Sequence, residues 1–457
     1  MSESKSLTRG QWFTLAAAFL AWMFDGVEMG LFPLVARPAL QELLGVSSEA
    51  QVATWFSRIM ACFLVGAAIG GLAFGWVGDK IGRVRGLASC MLVFSLFTGA
   101  CYFATAPWHI GVFLFMAALG MGGAWSLAVA LVMECWPERH RPKLAGLIGA
   151  AANFGFLFIA VVALTRQVTV TDWRWMMLVG ASPAVLALLV LFVAPESERW
   201  KASVKKGGRS PVVEIFSGPL LKKTLLAMAF AGIPLVGTWA AVSAYLPGWA
   251  SQLHELELGK AKLEQLRPDL VQQFEDAQPT ARAGLLASLG DEQLAEVRRQ
   301  SSGAKAQTQV FMSIGAIIGC FAASTMGRII GRRPAYFTLC LLSLLGCGYL
   351  FRLLPPVFNL HFLITTGVVC GITATFYGWL PLYLPELFPT RVRATGQGLC
   401  FNIGRILAAV GTLYSGVLVG AYGGDWRQAM GTVTLVYVVG MVLIWFAPET
   451  KGKPLPD

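Results

Sequence analysis

The chain has 457 residues, of which 56% are hydrophobic, only 13% are charged and 50 are glycine. Average globular domains carry roughly 25% charged residues, so this composition excludes an ordinary soluble protein. The formal net charge of +11 comes without the basic and aromatic interleaving of a nucleic-acid surface, and no nucleic-acid partner is expected.

The first apolar stretch, 12–35, carries Asp25 and Glu28 and continues to Val35 without a short apolar core and cleavage site, so it is expected to stay in the mature protein. A second follows at 52–77. From Leu87 to Met133 there is no Asp, Glu, Lys or Arg. As one helix this stretch would be about 70 Å long, more than twice the hydrocarbon thickness, so it must cross twice. The turn is expected near Ala106, Pro107 and Trp108. Further spans are predicted at 144–165, 175–195, 223–249, 306–327, 335–354, 357–384, 395–421 and 427–447, making twelve. The runs are long and continuously apolar, whereas barrel strands alternate over about ten residues. The expected class is therefore an all-α membrane protein in contact with the lipid bilayer.

The basic residues fall on one side of these spans. With the N-terminus inside, cytoplasmic segments hold about 22 of the 36 Lys and Arg, and the short external loops about five. Both termini are thus expected in the cytoplasm, with the chain in the cell (inner) membrane. The Cys residues lie mostly inside apolar spans and form no CxxC pair, which points to packing and away from disulfides or zinc.

Short motifs recur about 250 residues apart in one order. Glu134, Pro137, Arg139 and Arg141 match Glu386, Pro389, Arg391 and Arg393; Asn153 and Gly155 match Asn402 and Gly404. Asp172-Trp173-Arg174 matches Asp425-Trp426-Arg427, 194–197 (APES) matches 447–450 (APET), and Gly78, Gly82 and Arg83 match Gly327, Gly331 and Arg332. The chain is therefore a duplicated six-helix unit: residues 1–196, a basic cytoplasmic linker at 197–222, and residues 223–457. Pro33 and Pro247 correspond at a smaller offset of 214, so the second half carries an external insertion within about 251–304. Its polar segments read as short amphipathic helices punctuated by Pro268, Pro279 and Gly290.

These motifs resemble the major facilitator superfamily over essentially the whole chain. The stretch 75–85 (GWVGDKIGRVR) is similar to that superfamily's signature loop between helices 2 and 3, with Gly75, Asp79, Lys80, Gly82, Arg83 and Arg85 at the pattern's spacing. The resemblance implies two pseudo-symmetric six-helix bundles, alternating access, and a loop that locks the outward-facing state. The second copy departs, with Arg328 in the position of Asp79 and Ser324 in that of Gly75. Glu134 and Glu386, close in sequence to Arg139, Arg141, Arg391 and Arg393, read as charge clamps between helices and complete the set of conformational-lock residues. PESER at 195–199 and PETKG at 448–452 look like signatures of the sugar-porter-like branch, yet predicted spans 5 and 7 lack the glutamines with which sugar carriers typically hold hydroxyls.

Ionisable groups deep in lipid are costly and by default functional. Asp25 and Glu28 lie three residues apart on one helical face. Two close carboxylates disfavour double ionisation, so at least one holds its proton more tightly than in water, as a proton-coupling site requires. Arg58 and Arg405 are the Lys or Arg residues well inside spans. Arg58 and Glu28 are both roughly 10 Å from the external ends of their helices and are expected to pair. Arg405 lies near mid-membrane, where repeat-built carriers bind substrate; it either grips a carboxylate bidentately or pairs with Asp25.

Asp-Gly-x-Glu in helix 1 together with 388–405 (FPTRVRATGQGLCFNIGR) looks like the proton symporters for sialic acid, lactate and aromatic acids. That resemblance implies that Arg405 and Arg58 bind an organic anion and that Asp25 or Glu28 carries the proton. Asn153, Asn402, Trp239 and Tyr377, with Trp125, Ser126, Tyr245 and Trp379, are further cavity candidates. The alternatives are a sugar or polyol carrier of the same superfamily and a drug efflux carrier. No catalytic constellation, metal site or nucleotide-binding loop is visible. The chain is expected to be a monomeric carrier that is not an enzyme, with no cofactor and a proton gradient as its energy source.

Overall fold

The computed structural model describes residues 7–45, 49–166, 168–205, 210–277, 279–301, 303–422 and 425–456. Lys5, Lys206 and Arg209, counted above among the basic charges, lie outside the described residues. Six helices make the first half: α1 (Arg9–Leu44), α2 (Glu49–Ile81), α3 (Arg83–Ala100), α4 (Pro107–Cys135), α5 (Arg141–Thr165) and α6 (Arg174–Ala181, resuming at Pro183–Val193). Six make the second. They are α7 (Gly218–Pro234, continuing through a π-helical Leu235–Ser243 into Leu246–Leu266), α8 (Gly303–Ile330), α9 (Arg332–Gly348), α10 (Leu360–Ala374 with Phe376–Tyr383), α11 (Arg393–Ala421) and α12 (Trp426–Val433 with Val436–Leu443). Eleven stretches of the described residues are long and apolar enough to cross a membrane, and the 29-residue α11 completes the twelve.

The spans were expected at these places, but their ends differ. α1 does not stop at Val35. Thr8 and Gln11 cap it, and it runs through Pro33 and Pro38 to Gly45, whose φ of 62° ends the helix. The extension holds because Val35, Ala36, Ala39 and Leu40 are buried in the core. α7 begins at Gly218 and extends to Leu266, well inside the segment expected as an insertion. There Val271–Asp276, Pro279–Leu286 and Asp291–Ser301 fold back on it around a small core of Leu263, Phe274, Leu286 and Leu289. This unit is tied to the loop before α10, where the Phe358 N–H donates to Glu257 Oε1 at 2.6 Å and the His254 ring stacks on Phe358 at 4.8 Å.

The halves meet along two seams, α2 against α11 and α5 against α8. The first is backbone on backbone: a Cβ added at Gly398 would lie 2.0 Å from Gly71 O, and one at Gly75 would lie 2.7 Å from Ala394 O. Small residues permit such an approach in lipid, where packing, not hydrophobicity, drives association. On the same helix Gly66 and Gly70 face α4 (Phe115 O at 2.6 Å, Leu119 O at 2.0 Å). α2 thus uses one glycine stripe inside its own half and the other between halves.

Candidate functional site

At one end of the molecule, where α2 turns into α3 and α8 into α9, the duplication repeats in three dimensions. Gly82 and Gly331 make the two turns at φ of 115° and 100°, conformations that only glycine adopts freely. Arg83 donates to Gly78 O (2.9 Å), to Asp79 and to Glu134 (3.1 Å), and Arg332 likewise to Gly327 O (2.8 Å) and Glu386 (2.6 Å). Glu196 accepts from the Arg83 N–H (2.8 Å), and Glu449 from that of Arg332 (3.0 Å). Burial pushes the Glu449 carboxyl up, but the N–H groups of Arg333, Arg332, Lys451 and Thr450 outweigh it and leave Glu449 below its ordinary range. Ser197 and Thr450 each give a hydroxyl to Glu134 and Glu386 at 2.6 Å. The PES and PET motifs therefore close matching carboxylate–arginine networks.

The symmetry fails at the contacts that cross between halves. Asp79 accepts from Ala394 N (3.3 Å), Thr395 N (2.8 Å) and Thr395 Oγ1 (2.5 Å), all in the first turn of α11. Arg393 reaches Glu134 at 3.0 Å, and Arg83 donates to Thr390 O at 2.7 Å. The clamp partners expected from sequence proximity are different in space. Arg139 is exposed, with Nε against His140, and Arg391 pairs at 2.8 Å with Glu214 of the linker helix Pro211–Ile215. The chain has turned between each carboxylate and the following arginine, so sequence neighbours point apart. Lys80 is exposed with its ammonium 4.5 Å from the Trp76 ring centre.

Toward the other end the halves separate around a cavity of about 430 Å³. Its lining includes Arg405, Tyr377, Trp239 and Asn153 from the sequence-derived set, with Trp22, Phe56, Phe156 and Phe401 supplying aromatic surface. Arg405 is buried. Its Nη2 contacts Met29 Sδ at 3.9 Å, its guanidinium carbon lies 5.8 Å from the Phe401 ring centre, and Nε and Nη1 have no hydrogen-bond partner. Phe401 stacks on Trp125 at 4.0 Å and 11°, so a rigid aromatic ledge positions the cation from one helical turn away.

Other candidates lie elsewhere. Asn402 is outside the lining; its Nδ2 donates to Gly122 O (2.8 Å) and Gly398 O (2.9 Å), in the α2–α4–α11 seam. Arg58 does not meet Glu28: it is exposed on α2, 5.6 Å from the Trp55 ring centre. Glu28 instead accepts the Thr98 hydroxyl of α3, with Gly180 of α6 packed beside it. Asp25 is fully buried without a hydrogen-bond partner and interacts electrostatically with Arg405 and Glu28. Both carboxylates therefore sit behind the cavity wall, inside the first half. Sequence reasoning missed Thr98, Thr395, Arg37 and Lys305. The last two line the cavity on α1 and α8, but Arg37 lay beyond the expected end of its span and Lys305 before the start of its own.

The comparisons agree with this architecture. The profile of the Major Facilitator Superfamily matches residues 13–263 and 293–457, so the chain belongs to that family, whose members are transporters and not enzymes. The unmatched interval, 264–292, falls within the insertion. A probable 4-methylmuconolactone transporter of Cupriavidus pinatubonensis is 27% identical over 450 residues, covering 96% of this chain and 91% of that one. The cis,cis-muconate transport protein of Acinetobacter baylyi is 25% identical over 452 residues, covering 96% and 94%. Among solved structures, the proton:xylose symporter XylE bound to 6-bromo-6-deoxy-D-glucose superposes with a TM-score of 0.64 at 17% identity, covering 97% of each chain. That likeness is one of fold.

Proposed function

We propose that the protein is a proton-coupled symporter of a small organic anion, of the sialic acid, lactate or aromatic acid type. The observation that carries this reading is Arg405, a buried guanidinium with two unpartnered nitrogens at the wall of a cavity that, among the described residues, no Asp or Glu lines. A carboxylate takes two parallel bonds from one edge of the guanidinium, Nη2 together with either Nε or Nη1, and a buried cation left without one is costly. The aromatic lining favours a planar, unsaturated acid, which accords with the muconate and methylmuconolactone named for the two relatives. Asp25, in electrostatic reach of Arg405, is the proton carrier closest to the substrate, and Glu28 is the second. The basic end is cytoplasmic by the distribution of Lys and Arg, so the cavity opens outward, in the cell (inner) membrane. Asp79, Glu134 and their partners hold the cytoplasmic end shut in this state.

In the cycle, an anion on Arg405 and a proton on Asp25 together lower the charge between the halves, which then rock about the site. The test is uptake into proteoliposomes of sialic acid, lactate, 4-hydroxybenzoate and glucose, each with and without an inward proton gradient. Gradient-driven accumulation of one acid supports symport; glucose uptake indifferent to the gradient overturns it in favour of a sugar carrier. Extrusion of hydrophobic dyes with no acid uptake identifies a drug efflux carrier.

A further inference from the structure

Arg393, Gln397, Phe401 and Arg405 follow one another on α11 at intervals of four residues, so each lies one turn above the last and the run covers about 18 Å. Its ends have clear surroundings: Arg393 meets Glu134 where the halves are shut, and Arg405 stands in the cavity wall. Phe401 lies between them as the cavity floor. It lines the cavity, stacks on Trp125 of α4 in the other half at 4.0 Å, and meets Trp22 of α1 edge-on at 5.9 Å.

Gln397 is one turn below that floor and outside the cavity lining. It is fully buried, and neither its Oε1 nor its Nε2 has a hydrogen-bond partner among the described residues. Across the seam, Trp125 Nε1 is buried and unpartnered as well. A buried amide without a partner is costly, and buried polar groups are otherwise almost always paired. An apolar side chain of the same length would fill this place without that cost, so packing of the closed state does not account for Gln397.

Its position does. Trp125 belongs to the first half and α11 to the second, so when the basic end opens, Phe401 and Trp125 part and the turn beneath them becomes a wall of the new opening. Arg393 leaves Glu134 in the same movement. A substrate that leaves Arg405 for the basic end then passes Phe401 and reaches the Gln397 amide, about 12 Å along the helix. An amide N–H holds a carboxylate more weakly than a guanidinium does, because only one partner is charged. The acid is caught there without being trapped.

Resting on the organic-anion reading above, we propose that Gln397 is a second carboxylate site, formed only when the basic end is open, which holds the substrate after it leaves Arg405 and before it leaves the protein. Trp125 Nε1 is the donor that the same movement uncovers on the first half.

The test measures exchange of labelled for unlabelled acid in right-side-out and inside-out membrane vesicles, with sialic acid, lactate and 4-hydroxybenzoate offered in turn to the full chain. In Gln397→Met the concentration for half-maximal exchange is expected to rise at least about tenfold at the cytoplasmic face, the scale of one lost bond to a charged group, and to stay unchanged at the external face. Its thermal unfolding midpoint is expected to equal or exceed that of the wild type, because Met fills the same space without an unpaired amide. Gln397→Asn keeps an amide and recovers part of the loss. An equal change at both faces, no change at the cytoplasmic face, or a lowered midpoint in Gln397→Met overturns the second site and leaves the anion carrier standing. Exchange of none of the three acids by the wild type overturns the anion reading itself.

Discussion

Thr395 gives both its backbone N–H and its hydroxyl to the same oxygen of Asp79, at 2.8 and 2.5 Å, so a carboxylate at the end of α2 in the first half caps the first turn of α11 in the second. A helix N-terminus has unsatisfied N–H groups and a positive dipole, and an anion there is favoured twice over. Because cap and helix belong to different halves, the bond exists only while this end is closed.

Asp79→Asn is therefore expected to open the basic end. An asparagine keeps the size but loses the charge-assisted bonds, a loss of about 2 kcal/mol, or a shift of roughly thirtyfold in the ratio of the two conformations. Spin labels at the exposed Ile81 and Ile329, one on each half, check this: the distance distribution is expected to gain a longer population.

Glu134 and Glu386 occupy matching positions but are not equivalent. Glu134 binds Arg83 of its own half and Arg393 of the other, whereas Glu386 binds Arg332 of its own half. Glu134→Gln is expected to lengthen the same label distance. Glu386 reaches Arg141 of the first half only by a longer-range electrostatic interaction, so Glu386→Gln is expected to lengthen it less while lowering the thermal unfolding midpoint. Equal effects of the two on the distance would show that Arg393 does not act as a strap.

Close backbone contact makes a further demand on the seam. A methyl group at Gly398 falls 2.0 Å from Gly71 O, and overpacking of this kind costs about 1–3 kcal/mol. Gly398→Ala is expected to shift the conformational ratio in the same direction as Asp79→Asn, without altering the cavity, which Gly398 does not line. Double electron–electron resonance on the label pair, beside substrate affinity, separates the two.

Arg405→Lys is expected to weaken binding of the transported acid at least about tenfold, because a lysine ammonium cannot form the parallel pair of bonds. Calorimetry checks it, and unchanged affinity would reduce Arg405 to a structural partner of Asp25. Asp25→Asn is expected to abolish accumulation driven by a proton gradient, and Glu28→Gln to lower it, while both spare exchange of labelled for unlabelled substrate. The structure separates their severity. Asp25 has no hydrogen-bond partner, whereas Glu28 has Thr98, so Glu28→Gln retains a partner and the milder loss falls there.

The sequence by itself determined the twelve helices, the duplication and the basic end. Each rests on a property carried by local runs of residues: apolar length, recurrence of short motifs, and the count of Lys and Arg between spans. Gly82 and Gly331 could be placed in turns from the motif alone, and Arg405 could be marked because a charge amid apolar residues needs a reason wherever the helix points. Which residues meet was decided only by the tertiary structure. Glu28 turned to Thr98 and not to Arg58, Asn402 went to a helix seam and not to the cavity, and Glu134 found Arg393 259 positions away and not Arg139 nearby. A helical face is fixed by the packing of every neighbour at once, and a rotation of about 100° per residue separates a side chain in the cavity from one behind its wall.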